Sequence, residues 1–420
     1  MTFAEKTLDL ISKGQIDEAR KEFAWSLRKD NDDMVYSLAE ELYSLGFTNM
    51  AKRAYKKLLE RHPDADEFRT SLADIAIGEG NDDEALNYLS QIRPDSDAYL
   101  ESLLVAADLY QTQGMFDVSE RKLITAYQIA PDEPVIQFAL AELYFDIKKY
   151  IEAIPLYLNL IKQGITELSK VNLVQRLGMA YAESGKFEQA VGYLEQIHDE
   201  DLDDDTAFQL AFTRLKLGQI DEAIKELEKL KEKSPDYATV YPALAEAYEQ
   251  KGKIEDALIA LQEGMSVDEF NLQLYLKASD LSIKLGKKDQ AEKYLKTALQ
   301  QDSDNPSIVA ALSRLLIDQH AELENIELLS NYLSNNEVDP SFYWLRGQSY
   351  AAIEDFGNAI DDYKAALKDL SDSADFLRDA AFFFREAGKR KLALECANRY
   401  LEFEPNDIDM IELQEELLED

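Results

Sequence analysis

The six-residue sequence that begins at Gly14 (Gly-Gln-Ile-Asp-Glu-Ala) recurs unchanged from Gly218, and related segments begin at Gly185, Gly252 and Gly286. Gly218, Gly252 and Gly286 are equally spaced and give a period of about 34 residues, which is typical of stacked pairs of helices. The two identical copies, at Gly14 and Gly218, lie six such periods apart. Because no single pair in such a stack can bury its apolar face alone, neighbouring pairs share one core. The period therefore predicts an all-α solenoid whose core grows with the number of repeats.

Three positions define the repeat once this glycine is numbered 15. The glycine site is occupied by Gly14, Gly46, Gly80, Gly114, Lys148, Gly185, Gly218, Gly252, Gly286, His320, Glu354 and Gly388. Small side chains recur five residues after it, as at Ala19 and Ala223, and seven residues before it, as at Ala39 and Ala211. Small residues allow two helix axes to approach closely, and a glycine ends the first helix in a left-handed turn. Each unit is predicted to be a helix hairpin.

Aromatic residues follow the first small site by three residues, for example at Tyr144 and Tyr248, and prolines such as Pro63 and Pro131 close several units. This order of small, aromatic, glycine, small and proline resembles the tetratricopeptide repeat over about 405 of the 420 residues. The resemblance implies a right-handed superhelical solenoid of about twelve helix hairpins, in which the first helices line a concave groove, and a C-terminal capping helix.

The register divides the chain into four segments: repeats 1 to 9 over 1–305, a degenerate tenth repeat over 306–339, repeats 11 and 12 over 340–406, and an acidic capping helix over 407–420. His320 and Asn325 replace Gly and Ala in the tenth repeat, so we expect looser packing and a possible hinge there. The capping helix carries a predicted apolar stripe of Ile408, Ile411 and Leu418, with Leu413 and Leu417 beside them.

Two departures from the period lie near the middle of the chain. The interval from Lys148 to Gly185 is three residues longer than the period, which predicts a local irregularity around 163–170. The acidic segment 199–205 follows. It lacks the central glycine and the closing glutamate of a calcium-binding EF-hand loop, so we interpret it as a connector that caps a helix.

Composition limits the class of partner. Asp and Glu number 83 against 45 Lys and Arg, a net charge of −38, and such a surface repels nucleic-acid phosphates. We expect no nucleic acid and a basic protein or peptide, although the charge could also serve solubility alone. The sequence contains no apolar run of membrane-spanning length, so we expect no membrane insertion and a cytoplasmic protein. The only cysteine, Cys396, is predicted to be buried.

The sequence does not favour catalysis. His62, His198 and His320 lie in different repeats, and a chain with one cysteine cannot hold zinc in a cysteine cluster. Phosphate-binding glycine loops and nucleophile elbows are also missing from the sequence. We expect a protein that is not an enzyme and that uses no cofactor and no metal.

The resemblance implies that positions 2, 5, 9 and 12 of each first helix face the groove. Position 9 is acidic in four successive repeats, and aromatic residues accompany it at positions 5 and 12. An acidic ladder with aromatic steps suits a segment rich in Lys or Arg, although acids there could merely solvate the groove. The predicted partner-binding residues are Tyr36, Glu40, Tyr43, Asp74, Asp108, Phe138, Glu142, Phe145, Phe208, Phe212, Glu246 and Asp280.

The function predicted from these features is a scaffold or adaptor that holds a basic or aromatic-rich protein segment in the groove. Two alternatives stay open: an intracellular receptor for short signalling peptides, and a regulator of a partner enzyme that acts through the convex face. The carboxylate-clamp mode of the family is not favoured, because position 5 holds no Lys and position 9 no Asn. The oligomeric state is left open.

Overall fold

The computed structural model describes residues 1–198, 202–335 and 339–419. The described residues form twelve consecutive helix hairpins followed by one further helix, so the predicted all-α repeat fold is confirmed. The first helices are α1 (Phe3–Ser12), α3 (Asp32–Ser44), α5 (Asp66–Gly78), α7 (Tyr99–Thr112), α9 (Pro134–Asp146), α11 (Leu173–Glu183), α13 (Asp204–Lys216), α15 (Val240–Gln250), α17 (Leu272–Lys284), α19 (Pro306–Asp318), α21 (Ser341–Ala352) and α23 (Ala374–Glu386). The second helices are α2 (Ile16–Lys29), α4 (Thr48–Arg61), α6 (Asp82–Leu89), α8 (Phe116–Ile129), α10 (Tyr150–Lys162), α12 (Phe187–Leu194), α14 (Ile220–Lys233), α16 (Ile254–Val267), α18 (Lys288–Gln301), α20 (Glu322–Asn335), α22 (Phe356–Leu367) and α24 (Arg390–Phe403). The last helix is α25 (Ile408–Glu419).

The chain divides into two compact units. The first, Met1–Leu202, contains hairpins 1 to 6, and the second, Asp203–Asp420, contains hairpins 7 to 12 and α25. Within each unit the second helix of one hairpin packs against the first helix of the next, except between the first two hairpins, where α1 packs against α3. The predicted hinge at 306–339 lies inside the second unit and stays a prediction; residues 336–338 of that segment lie outside the described residues.

The inter-helix turns follow the prediction. Every glycine at position 15 has a positive φ, between 65° and 80°. In the turn after α3, Gly46 N donates to Tyr43 O and Phe47 N to Leu42 O, at 2.9 and 2.7 Å. These two bonds form a Schellman motif, which satisfies carbonyls that a helix end leaves free. Lys148, His320 and Glu354 occupy the same site and also adopt positive φ, at 61°, 60° and 63°.

Replacing Glu354 by Gly is expected to raise the free energy of unfolding by about 0.5–1 kcal/mol, because a side chain in the left-handed region is strained and a glycine there is not. Urea denaturation measures the change. The reverse substitution, Gly388→Glu in the twelfth repeat, is the matched control and should lower stability by a similar amount. If Glu354→Gly instead lowered the free energy of unfolding, backbone strain at Glu354 would not be what limits the stability of this turn.

Small side chains lie at the crossing of the two helices in each hairpin. Ala19, Ala51 and Ala223 are completely buried. In hairpin 6 the first small site is Gly178, where an added Cβ would come within 2.6 Å of the Leu194 side chain. In the tenth repeat the second small site holds Asn325, also buried, whose Nδ2 donates to Ser349 Oγ at 2.8 Å. The degenerate repeat therefore has a polar contact at a site where all the other hairpins have an alanine except the fourth, which has Ser119.

The extra residues after the fifth hairpin form a short β-hairpin. Strand β1 (Glu167–Leu168) pairs antiparallel with β2 (Val171–Asn172), and Ser169 and Lys170 at its tip both have positive φ, at 50° and 66°. Asn172 then caps α11 by accepting from the backbone of Val174 at 3.0 Å. The irregularity predicted around 163–170 is thus an inserted hairpin between repeats 5 and 6.

The acidic connector lies partly outside the described residues, which exclude 199–201. The part that follows caps a helix, because Asp203 accepts from Thr206 N at the start of α13, over 2.7 Å.

The apolar stripe predicted for α25 is wrong in its main members. Ile408 and Leu418 are 69% and 63% exposed, whereas the helix buries Met410, Leu413 and Leu417. These three residues, at spacings of three and four, form the face that packs on α24. The buried face is therefore turned away from the predicted one, toward the two leucines that the sequence placed beside it.

Cys396 is buried in α24, as predicted, and burial raises the pKa of its thiol to about 12. A neutral thiol of this kind behaves as a small apolar group.

Ion pairs join neighbouring repeats, and the most enclosed of those around α4 centres on Lys52. Its Nζ lies 2.6 Å from Glu79 Oε2 and 2.8 Å from Glu84 Oε2, and Lys56 Nζ lies 3.0 Å from Glu84 Oε1. Hydrogen bonds from Lys52 and then Lys56 lower the pKa of Glu84 from 4.5 to about 2. Because Glu84 is only partly exposed, its ionised form stabilises the stacking of repeats 2 and 3.

Glu84→Gln is expected to lower the free energy of unfolding by about 1–2 kcal/mol at pH 7. A carboxyl whose pKa is lowered by folding contributes its stability above about pH 4.5 and loses it as the pH falls toward about 2. The difference between wild type and variant should therefore shrink on acidification from pH 5 to pH 3, as measured by urea denaturation. The neighbouring exposed Asp83→Asn is the control, and a gap independent of pH would contradict the prediction.

Candidate protein-binding surface

Within each unit, positions 2, 5, 9 and 12 of the first helices form a surface that we call the A-face of that unit. In the first unit it brings together side chains that are far apart in sequence. Tyr43 Oη, at position 12 of repeat 2, donates to Asp74 Oδ2, at position 9 of repeat 3, over 2.5 Å. Tyr36 Oη donates to Glu40 Oε1 within one helix, over 2.7 Å. Position 12 of repeat 2 therefore meets position 9 of repeat 3.

Carboxylates from the two preceding repeats of the first unit act on Glu101 of repeat 4. Burial raises the pKa of Glu101, and the negative charges of Asp74 and Glu40 raise it further. Glu101 is nevertheless exposed to solvent. A side chain in a concave part of a surface can be reached by water and still be surrounded by protein atoms, which accounts for both observations. Asp108, two helical turns after Glu101 on α7, is also exposed.

We call Glu40, Asp74, Glu101 and Asp108 the acidic row. Among the described residues, none of these four carboxylates forms an ion pair with a basic side chain. Two of them have tyrosines as polar partners. The hydrogen bond to Glu40 raises the pKa of Tyr36, and burial followed by the bond to Asp74 raises the pKa of Tyr43 to about 12. The phenols therefore stay protonated and donate, but they add no positive charge.

Glu142, which the sequence places next on the ladder, is not available in the same way. It accepts a hydrogen bond from Tyr157 Oη, and Arg176 Nη2 lies 3.2 Å from its Oε2. The same guanidinium group lies over the ring of Phe145, 4.6 Å from the centroid. The unpaired part of the ladder in the first unit thus ends at Asp108, and repeats 5 and 6 have a neutralised, partly apolar A-face.

In the second unit lysines pair with two of the acids on the A-face, Glu246 and Glu249. Phe208 and Phe212 stack with centroids 6.0 Å apart, and Lys216 Nζ lies 4.6 Å from the Phe212 centroid. Lys216 also lies 3.2 Å from Glu246 Oε1.

Glu249 lies one helical turn after Glu246 on α15. Lys277 Nζ and Lys284 Nζ each lie 2.6 Å from its carboxylate, and their hydrogen bonds lower the pKa of Glu249. Asp280 is exposed on α17, three residues beyond Lys277. Glu246 and Glu249 of the second unit are therefore paired with lysines, unlike the acidic row of the first, whereas Asp280 forms no ion pair among the described residues.

Family models of tetratricopeptide repeats match several segments of this repeat array. Models described as YpiA-like tetratricopeptide repeats match residues 111–165 and, for the C-terminal repeats of that type, 340–407. General tetratricopeptide-repeat models match 36–99, 181–241 and 272–305. The TPR repeat-containing protein YpiA of Bacillus subtilis (strain 168) is 34% identical over 361 residues, which are 85% of this chain and 84% of that protein. The chain belongs to the YpiA-like family of tetratricopeptide-repeat proteins.

Other similarities of this YpiA-like protein are more limited. The TPR repeat-containing protein PA4667 of Pseudomonas aeruginosa is 33% identical over 129 residues, 30% of this chain and 22% of that protein. A chain in the crystal structure of the APC/C hetero-tetramer Cut9-Hcn1 aligns with 98% of this chain and 95% of its own length, at 15% identity and a TM-score of 0.37. Tetratricopeptide-repeat proteins generally mediate protein–protein interaction.

Three residues on or near the A-face of this YpiA-like protein were not predicted from the sequence: Glu101, Tyr55 and Arg176. Glu101 stands at position 2, which the family pattern already assigns to the groove, so reading that position would have found it. Tyr55 on α4 was missed because it belongs to a second helix; burial raises its pKa to about 12, with Glu40, Asp74 and Glu101 adding to the rise. Arg176 stands at position 6, and nothing in the repeat pattern indicates that it reaches Glu142.

The described part of this YpiA-like chain offers no group of three or more His, Cys, Asp or Glu side chains arranged to hold a metal ion. Within the same residues, no helix is both long enough and apolar enough to span a bilayer.

Proposed function

We propose that this protein is a non-catalytic cytoplasmic scaffold that binds a basic segment of a partner protein along the A-face of its first unit. The observation that carries the proposal is the acidic row, whose carboxylates come from three successive repeats and have no basic partner among the described residues. Their mutual repulsion is relieved when a cation lies between them, because each carboxylate then gains an opposite charge. Lys and Arg side chains of an extended segment supply such cations.

The tyrosines support the same reading. Tyr36 and Tyr43 lie beside the carboxylates that they bond, so their rings border the acidic row. A guanidinium or ammonium group near an aromatic face is attracted by the ring as well as by the carboxylate. The second unit is a weaker candidate for this role because Lys216 already pairs with Glu246, and Lys277 and Lys284 already pair with Glu249.

The test uses a fluorescein-labelled nine-residue peptide with three arginines spaced by glycine and serine, and a matched peptide with glutamine for arginine. We expect the wild type to bind the arginine peptide and not the glutamine peptide, with an affinity that falls as ionic strength rises. Glu40→Gln, Asp74→Asn and Glu101→Gln together should weaken binding about tenfold or more, since each removes one ion pair worth up to about 1 kcal/mol.

The control variant carries Glu18→Gln, Asp83→Asn and Glu188→Gln, the same chemical changes at exposed positions in the first turns of second helices. It keeps the net charge equal to that of the test variant. If the two triple variants bind the arginine peptide equally well, attraction comes from the overall charge of −38 and the acidic row is not the site.

A further inference from the structure

We propose that repeats 5 and 6 form an apolar seat for one aromatic side chain of the same partner segment whose basic residues lie on the acidic row. This inference rests on the proposed function. The seat consists of Val135, Phe138 and Phe145 on α9 and Met179 on α11, at positions 2, 5 and 12 of repeat 5 and position 9 of repeat 6. All four residues belong to the first unit, as does the acidic row.

The four side chains share one face and keep part of their surface open. Val135 is 51% exposed, Phe138 and Phe145 are half-buried against the core of hairpins 4 to 6, and Met179 is also half-buried. Phe145 and Met179 stand at positions 12 and 9 of consecutive repeats, the pair that is in contact at Tyr43 and Asp74. The helices of the seat are joined directly, because Arg176 of α11 contacts Glu142 and the Phe145 ring of α9.

The charged residues that stand among the side chains of the seat, Glu142 and Arg176, pair with each other. Arg176 is paired with Glu142, which also accepts from Tyr157, so these described residues give the wall of the seat neither a free cation nor a free carboxylate. An apolar side chain can therefore be buried there without leaving an unpaired charge behind. An aromatic side chain suits it best, because the Phe138 and Phe145 rings and the Met179 sulfur all interact favourably with an aromatic ring.

Charge complementarity decides what the rest of the occupant must be. The acidic row lies on the first helices immediately before the seat, from α3 to α7, so a chain that reaches the seat along the A-face passes over Asp108 and Glu101. Basic residues are favoured there and acidic ones are repelled. The occupant is a protein segment with an aromatic anchor and basic residues on one side of it.

The geometry also predicts the spacing. First helices of adjacent hairpins pack at roughly 8–10 Å, and the middle of the acidic row is about two such steps from the seat, or roughly 20 Å. An extended chain advances about 3.3 Å per residue. The aromatic anchor and the centre of the basic residues are therefore about six residues apart.

The experiment measures fluorescence anisotropy with labelled twelve-residue peptides. Each carries two adjacent arginines and, six residues away, either Trp or Ser, with glycine and serine elsewhere; both chain directions are made. We expect the better Trp peptide to bind about tenfold more tightly than its Ser counterpart, as is usual for a buried aromatic anchor. A spacing of two residues should lose that advantage.

The location is tested with Val135→Ser and Met179→Gln together, which should remove the preference for Trp and leave binding of the Ser peptide unchanged. Ile151→Ser with Met115→Gln changes the same types of side chain at exposed positions where second helices start and should keep the preference. Circular dichroism establishes that both variants are folded, and the comparison of the two peptides on the wild type does not depend on either.

Three results would overturn the inference. Equal binding of the Trp and Ser peptides, both weakened by the Glu40, Asp74 and Glu101 variant, refutes the seat while the proposed function stands. A Trp preference that survives in the Val135 and Met179 variant places the anchor elsewhere. If no arginine peptide binds at all, the proposed function and the seat fail together.

Discussion

Asp362→Ala is expected to lower the free energy of unfolding of the second unit by about 3–5 kcal/mol. Asp362 on α22 is 5% exposed and accepts two hydrogen bonds from Arg346, from Nε at 2.8 Å and from Nη2 at 2.7 Å. The guanidinium also lies near the rings of Tyr343 and Tyr350, 5.8 Å from each centroid. Removing the carboxylate leaves this enclosed cation without a counter-charge, which costs more than the pair itself contributes.

Urea denaturation followed by circular dichroism measures the loss, with the transition of each unit fitted separately if the two do not coincide. The control is Asp361→Ala, which removes the same side chain from the exposed neighbour on α22 and should change stability by less than about 0.5 kcal/mol. Equal effects from the two substitutions would mean that Arg346 is solvated well enough to need no partner.

Ala223→Leu is expected to destabilise the seventh hairpin by about 3 kcal/mol. Ala223 is completely buried in the core that joins α13 to α14, so the extra carbons of a leucine would overpack the crossing of these two helices. Hairpin 11 illustrates how closely the helices of a hairpin approach, because a Cβ added at Gly347 would come within 2.9 Å of the Tyr363 ring. Three additional carbons at Ala223 would force the two helices apart.

The measurement is again urea denaturation, combined with amide hydrogen exchange of hairpin 7. Lys225→Leu adds an apolar side chain to the exposed face of the same helix and should leave stability within about 0.5 kcal/mol of wild type. Unchanged exchange protection in α14 of the Ala223→Leu variant would show that the hairpin can relax around a large residue at this site.

The candidate site could be predicted in part. Position 9 led directly to Glu40, Asp74 and Asp108, since the family pattern states which positions share a face. Whether each acid is paired could not be read in the same way. Glu142 meets Arg176 of the following repeat, and Glu246 meets Lys216 of the preceding one. The binding role of the twelve predicted residues stays a prediction, and the acidic row and the apolar seat are the parts that we propose to test.

The sequence by itself determined the helix hairpins, their number and their turns. These features depend on contacts within a repeat and with its neighbour, and the chain supplies them twelve times in register, so even Lys148, His320 and Glu354 could be placed at a turn that normally holds glycine. The tertiary structure alone decided which charges are paired, which face of α25 is buried and where an acidic surface lies open. Long charged side chains reach neighbouring repeats, and their pairing depends on the distance between atoms of different helices, which a periodic pattern does not specify.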